Sequence, residues 1–311
     1  MTASTELGEL VVVTGASTGI GAATARELAG RGFHVLAGVR RERDADAIGG
    51  PGVEPLILDI THSGHVHALA TRVADDHRAL RALVNNAGIG VNVPVETFAI
   101  EKWRELFDVN LFGHVAVIQA LLPALICSKG RVVNISSVGG RVAMATYGPY
   151  AGTKFALEAV SDSLRRELAP SGVGVVVIEP GAVRTEMPGR AIATANELAS
   201  AMTPEQGQRY GALVHAVTAQ TASHTEWGLP AEAAAKVIAK AVTARRPRAR
   251  YTVGREGALI RLLPFVPDWA LDRLLAMALR PYYPAHAQRS HDDGSRFRRS
   301  GTGDAVPGAR Q

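Results

Sequence analysis

Seven short apolar runs, most of them rich in valine, recur along the chain: ELVVVTG, FHVLAGVR, VEPLILDI, LRALVNNAG, GRVVNISS, GVGVVVIEPG and RARYTVG. Such runs are near-continuous rather than alternating with polar residues, so a strand made from one is covered on both faces. Between them lie stretches with apolar residues at helical spacing, about 18–31, 63–77, 101–127, 150–169 and 231–244. Strands that alternate with helices imply an α/β, doubly wound domain: a seven-stranded parallel sheet with helices on both faces. A chain of 311 residues, 47% hydrophobic, can bury one core of that size.

Three regions break the alternation. Residues 182 to about 228 form a long connection after the sixth run, and connections of that length commonly serve as lids or binding walls. Residues 263–285 contain PDWALDRLLAMALRPYYP, which reads as a short proline-bounded C-terminal helical extension packed on its own domain or on a neighbouring subunit. Its apolar face is interrupted by Asp272 and Arg273, so it is too short and too charged to span a bilayer; a peripheral membrane contact is the alternative. Residues 286–311, rich in Gly, Ser, Arg and Asp, read as a flexible tail. The expected division is a main domain over 1–262, with 182–228 as its substrate loop, then the extension and the tail.

Composition excludes several function classes. The net charge of +5 is concentrated in RRPRARYTVGREGALIR, where six arginines between Arg245 and Arg261 face one glutamate. No nucleic-acid reading module accompanies them, so they read as a solvated rim or an anionic-surface contact rather than a nucleic-acid site. The single cysteine, Cys127, rules out an internal disulfide and any CxxC metal site, fits a reducing compartment and reads as a buried apolar filler. The ten histidines show no HExxH-type spacing, and no metal is expected. The amino terminus lacks a basic segment followed by an apolar stretch, and no run of about 18 apolar residues appears, so a cytoplasmic location is expected.

The first strand runs into VVVTGASTGIGAATARELAGRG, with Gly15, Gly19 and Gly21 at the junction with the first helix. Glycine permits the tight turn and the approach of a ligand to the backbone, while the helix amino terminus offers free N–H groups and a positive dipole end to an anion. The junction is therefore a candidate pyrophosphate cradle.

The spacing GxxxGxG, together with NNAG at Asn85–Gly88, resembles the short-chain dehydrogenase/reductase family in its single-domain branch, over roughly residues 8–255. That resemblance implies a Rossmann fold and a bound dinucleotide. By it, Gly15, Ser17, Thr18, Gly19, Ile20 and Gly21 hold the phosphates, and Asn86, Ala87 and Gly88 line the adenosine side. Asp59 accepts from the adenine amino group, next to Ile60, while Pro180, Gly181, Val183 and Thr185 in EPGAVRTEM pass the nicotinamide. An acidic residue at the end of the second strand would bond the ribose hydroxyl of NAD, whereas an arginine pairs with the 2′-phosphate of NADP. Here Val39 is followed by Arg40 and Arg41, so NADP(H) is preferred, with room left for NAD(H).

The stretch PYAGTK supplies the chemistry. Residues four apart on a helix share a face, so Tyr150 and Lys154 point the same way, while Tyr147 has Ala151 in the partner position and reads as a bystander. A free tyrosine has a pKa near 10, and a neighbouring ammonium with a cationic nicotinamide would bring it down. The resemblance makes Tyr150 the acid/base and Lys154 its tuner, also bonded to the nicotinamide ribose. It makes Ser137, thirteen residues earlier, the donor to the substrate oxygen, and Asn110 in FDVNLFG the residue that bends its helix and holds a relay water. Ser136 is the structural neighbour.

The implied activity is hydride transfer between nicotinamide and a carbonyl carbon. The long connection and the extension resemble the branch acting on retinoid, steroid or other lipophilic alcohols, ketones and aldehydes; Met187, Ile192, Leu198, Met202, Tyr210, Leu213 and Trp227 suggest an apolar pocket. Two rivals are a catalytically silent dinucleotide-binding sensor or scaffold, which has no need of the four-residue set, and a 3-oxoacyl-carrier-protein reductase suited to an arginine-rich rim. A homo-oligomer, dimer or tetramer, through helices 101–127 and 150–169 is also implied.

Overall fold

The computed structural model describes residues 8–254 and 262–284. All seven apolar runs are strands of one sheet: β1 Leu10–Val13, β2 His34–Val39, β3 Val53–Ile57, β4 Leu80–Asn85, β5 Arg131–Ile135, β6 Gly174–Pro180 and, last in sequence, β9 Arg250–Val253. Every pairing is parallel, in the order β3-β2-β1-β4-β5-β6-β9. The chain first moves outward from β1 to β3, then returns past β1 to β4. At such a reversal the connections diverge and leave a crevice at the carboxyl ends of the strands, and the candidate site lies there.

Successive side chains on each strand go to opposite faces, and the sheet is covered on both. Val11, Val13, Val35, Ala37 and Val133 pack against α1 (Gly19–Ala29) and α9 (Ala231–Thr243) through Ala25, Leu28, Ile238 and Val242. Leu10, Val12, Leu36, Leu83 and Val132 pack against α3 (Ser63–Ala74) and α5 (Gly113–Ser128) through Leu69, Val117, Leu121 and Leu125. Each such side chain contributes about 1.5–3 kcal/mol when removed from water, which is why these runs contain little else.

The helix expected over 101–127 is interrupted. It divides into α4 (Ile100–Phe107) and α5 around a wide turn at Asp108–Phe112 whose hydrogen bonds reach one residue further than in an α-helix. The stretch Ile100–Ser128 is long enough to cross a membrane and contains an 18-residue window of mean hydropathy 1.9. Its Val117, Ile118, Leu121 and Leu125 are nevertheless buried against the sheet. Cys127 is exposed, not a core filler, because it sits on the face of α5 turned away from those residues.

The region 182–228 is not a loop. After a two-residue strand, β7 (Val183–Arg184), come α7 (Glu186–Ser200) and α8 (Pro204–Trp227), and then β8 (Leu229–Pro230), which pairs in parallel with β7. A capping box starts α8: Thr203 accepts from the Gln206 backbone N–H, and Gln206 accepts from the Thr203 N–H, with Pro204 at the first position. The apolar pattern hides both helices because only Ala191, Ala195, Val214, Ala216 and Val217 of them are buried. A polar helix, α2 (Glu42–Ile48), was likewise not anticipated and buries only Ile48. Helix α6 (Gly148–Leu168) matches its expectation.

The extension contains the helix Asp268–Leu279, which leans on α8 through Leu279 against Ala216 and Val217. Gln220 on α8 donates to the Ala278 carbonyl at 3.2 Å. The tail read over 286–311 lies outside the described residues.

Candidate active site

A cavity of about 840 Å³ runs along the carboxyl ends of the strands from the glycine loop to α7 and α8. At one end the loop's backbone forms the wall. Gly15 and Gly19 have φ of 64° and 56°, the left-handed region in which a side chain is strained. A Cβ on Gly15 would lie 2.7 Å from the Ala87 Cα, and one on Gly21 would lie 2.2 Å from the Gly15 carbonyl oxygen. Thr14 and Asn86 lock the two loops together. Thr14 Oγ1 accepts from the N–H groups of Asn86 and Ala87, both at 3.0 Å, and Asn86 Nδ2 donates to the carbonyls of Thr14 and Gly15. The amino terminus of α1 opens directly into this space, so the cradle fits a diphosphate.

The wall also contains Ser17, Thr18, Ile20, Val39, Arg40, Asp59, Ile60, Ala87 and Gly88, and on the far side Pro180, Gly181, Val183 and Thr185. The two arginines after β2 separate. Arg40 lines the cavity beside Val39, whereas Arg41 turns away to pair with Asp44 at 2.8 Å. Asp59 Oδ1 accepts from the Thr61 N–H and hydroxyl, and with Arg40 nearby the carboxyl stays below its ordinary range despite burial. Thr185 precedes the first turn of α7 without a side-chain capping bond and sits against Gly19, where a Cβ would meet its methyl group at 3.1 Å.

Further along, Ser137, Tyr150 and Lys154 converge on the same cavity. The turn after β5 brings Ser137 over the start of α6: a Cβ on Gly139 would lie 3.4 Å from both Ser137 Oγ and a ring carbon of Tyr150. Ser137 Oγ accepts from the Gly139 N–H. Lys154 Nζ donates to the Ile135 carbonyl at 3.0 Å and stands 5.9 Å from the centre of the Tyr150 ring. Burial pushes Tyr150 up to about 12, opposed by the Ser137 hydroxyl, and pushes Lys154 down to about 8. The lowering expected from the lysine and a cationic nicotinamide together is not produced by the lysine in the protein by itself. Within the protein by itself, loss of water around the phenol outweighs an ammonium committed to a backbone carbonyl.

Asn110 stands behind the wall, fully buried in the wide turn between α4 and α5. Its Oδ1 accepts from the Ile89 N–H and its Nδ2 donates to the Ile89 carbonyl, both at 2.9 Å, and to Thr153 Oγ1 at 3.2 Å. It ties the NNAG segment to α6 and keeps Gly88 against Lys154, rather than facing the cavity.

The other end is lined by Val91, Phe98, Leu106, Met144, Tyr147, Met187 and Leu198, with Asn92, Thr221 and His224 among its polar points and Lys102, Glu105, Arg190 and Glu197 as charged ones. Tyr147 is more than a bystander. Its ring meets Tyr150 edge-on at 6.4 Å, and it packs against the cluster of Ala216, Val217 and Leu279, so it joins the pocket to the carboxyl-terminal segment.

The family model for short chain dehydrogenases matches residues 9–196. The chain belongs to the short-chain dehydrogenase/reductase family. It is an oxidoreductase, with the Rossmann fold of that family. It is 34% identical over 280 residues to the NADPH-dependent 3-dehydrocapnine reductase of Ornithobacterium rhinotracheale, covering 86% of this chain and 96% of that protein. It is 35% identical over 276 residues to retinol dehydrogenase 16 of Homo sapiens, covering 85% and 87%. A crystal structure of a short chain dehydrogenase from Burkholderia cenocepacia in complex with NADP superposes with a TM-score of 0.68 at 27% identity, covering 86% of this chain and 97% of that one.

In this short-chain dehydrogenase/reductase, the sequence reading missed the polar points of the pocket, Asn92, Thr221 and His224. Thr221 and His224 sit on α8, read as loop, where no side-chain direction could be assigned. Asn92, 6% exposed, donates to Thr221 Oγ1 at 3.3 Å. Among the described residues no group of three or more His, Cys, Asp or Glu could hold a metal ion.

Proposed function

We propose that this protein is an NADP(H)-dependent oxidoreductase acting on a lipophilic alcohol, ketone or aldehyde, with Tyr150 as its acid/base. The observation that carries the reading is the convergence of Ser137, Tyr150 and Lys154 on a cavity continuous with the glycine cradle. The nicotinamide would supply or take up the hydride. The chain's own residues do the rest: Ser137 and Tyr150 donate to the substrate oxygen, and Tyr150 gives or takes the proton there. Interactions that strengthen as charge gathers on that oxygen lower the barrier.

The NADP(H) preference is supported by Arg40 in the cavity wall after Val39, by the NADPH-dependent relative and by the NADP-bound structural neighbour. A guanidinium pairs with a 2′-phosphate, and Val39 offers no carboxylate to repel it. The lipophilic substrate is supported by the apolar walls from the segment after β4, α4, α7 and the turn before α6, and by the likeness to a protein named as a retinol dehydrogenase.

The test is a titration of NADPH and NADH against the wild type and Arg40→Ala, followed by NADPH oxidation with a panel of lipophilic ketones and aldehydes. NADPH should bind at least about tenfold more tightly than NADH, a gap that Arg40→Ala closes. Equal binding of both nucleotides by the wild type would overturn the preference. Nucleotide binding with no turnover across a wide panel would favour the silent sensor.

A further inference from the structure

The basic stretch that reads as a solvated rim divides in the folded chain. Arg245, Arg246 and Arg248 are exposed, but Arg250 on β9 turns inward. Its Nε donates to Glu158 Oε2 at 2.9 Å, and a terminal nitrogen pairs with Asp162 Oδ1 at 2.8 Å. The same Nε stands 3.6 Å from Glu179 Oε1. Glu158 and Glu179 are 5% and 1% exposed. Thr252 Oγ1 donates to Glu179 Oε2 at 2.8 Å, and Arg141 Nε lies 3.8 Å from its other oxygen.

A buried ion cluster adds less stability than apolar packing of the same volume, so its location calls for a reason. Two members, Glu179 and Glu158, adjoin the site. Glu179 directly precedes Pro180 and Gly181 of the cavity wall, and Ser136 directly precedes Ser137. Glu158 follows Lys154 by one turn on the same face of α6, as Lys154 follows Tyr150. Glu158 Oε1, Glu179 Oε1 and Ser136 Oγ are buried with no partner at hydrogen-bonding geometry.

Resting on the reading of Lys154 as part of the reacting site, we propose that Glu158 and Arg250 are a positioning pair for it: Glu158 supplies the counter-charge of the buried ammonium, and Arg250 keeps Glu158 ionised. Among the described residues, only the neutral Ile135 carbonyl accepts from Lys154 Nζ. Burial lowers the lysine's affinity for its proton, and Glu158 is the carboxylate that opposes this. Glu158 is itself under pressure to take up a proton, from burial and from the Glu179 carboxylate, with Ser136 and Arg250 acting against it. The charged and titratable groups around the pair are Asp162 and Arg165 on α6, Glu179 on β6, Arg250 on β9 and Arg141 after β5. Tyr150 and His114 also lie within the reach of the Lys154 charge. Neutralising Glu158 should therefore lower the pH at which Lys154 loses its proton.

The chain has five lysines, few enough to follow individually. The full-length protein is labelled at lysine Cε with carbon-13, the resonances are followed against pH, and Lys154 is assigned with Lys154→Arg. The wild-type midpoint is expected near 8. Glu158→Gln should lower it by about one pH unit and leave the other four lysines in place. Arg250→Met should move it in the same direction, and Arg250→Lys should restore it, whereas a merely structural role would change thermal stability without moving this midpoint. An unmoved midpoint in folded Glu158→Gln overturns the proposal. Should that variant not fold, the two Arg250 variants decide: a shift in the first that the second restores supports the pair, and no shift in either overturns it. The measurement uses neither nucleotide nor carbonyl, so failure to turn over any substrate leaves its outcome readable.

Discussion

The two ends of the cavity are built in different ways. The cofactor end is backbone held by a dry sheet: every residue of β1 is buried, and so are five of the six in β2 and in β4. The substrate end is side chain carried on α7 and α8, which together bury five residues. Contacts made by backbone require glycine at fixed positions, because a single Cβ fills the space the ligand or a neighbouring loop needs. Contacts made by side chains require only shape and polarity, which many residues satisfy. The first end is therefore rigid and easy to recognise, and the second can be rebuilt without disturbing the sheet.

The seam between the ends is Tyr150, and its loss should have the largest effect. Tyr150→Phe should lower kcat about a thousandfold while leaving the NADPH Kd within about twofold, measured by turnover and by nucleotide titration. Near wild-type turnover would place the proton transfer elsewhere.

Glycine replacements sharpen the contrast. Gly21→Ala puts a methyl group 2.2 Å from the Gly15 oxygen and 2.4 Å from Asn86 Nδ2. It should lower stability by about 2–3 kcal/mol in a denaturant titration and weaken NADPH binding. Gly211→Ala on α8 meets nothing within 4 Å. It should raise stability by up to about 1 kcal/mol, through helix propensity and a less free unfolded chain. Equal losses from both would erase the distinction between the two ends.

Between these in size is a pH effect. His114, fully buried at the start of α5, is pushed down to about 3, first by burial and then by the Lys154 charge. From pH 6.5 down to 3 the unfolded chain binds a proton there that the folded chain refuses. Stability should therefore fall on acidification through that window, with no contribution above pH 6.5. The term amounts to about 2 kcal/mol at pH 5. His114→Leu should flatten this part of the stability–pH curve, and an unchanged slope would mean that the imidazole titrates in the folded protein.

Much of the cofactor end was legible from the residues, since continuous apolar runs and glycine spacing are local signals. The tyrosine and lysine were legible as a pair for the same reason. The helices α7 and α8 were not, because they bury small alanines and valines against each other, the pocket and the extension rather than presenting a broad leucine face. Their start was signalled by Thr203-Pro204-Glu205-Gln206, a capping box that an apolar-period reading passes over. Arg250 was misread because six arginines in a short stretch look alike until the sheet is assembled. Only its place beside β6 brings it to Glu158, 92 residues earlier in the chain.

By itself the sequence determined the strands, the helices with apolar faces, the cradle and the residues able to exchange a proton, all set by interactions within a few residues. The tertiary structure decided which of them meet. It put Ser137 against Tyr150, set Asn110 behind the wall, separated Arg40 from Arg41 and turned one basic residue into a buried ion partner. It also buried the Tyr150 phenol, which in the protein by itself pushes its pKa up. A pKa depends on how much water the fold removes as well as on the charge four residues away, and only the packed structure fixes the first of these.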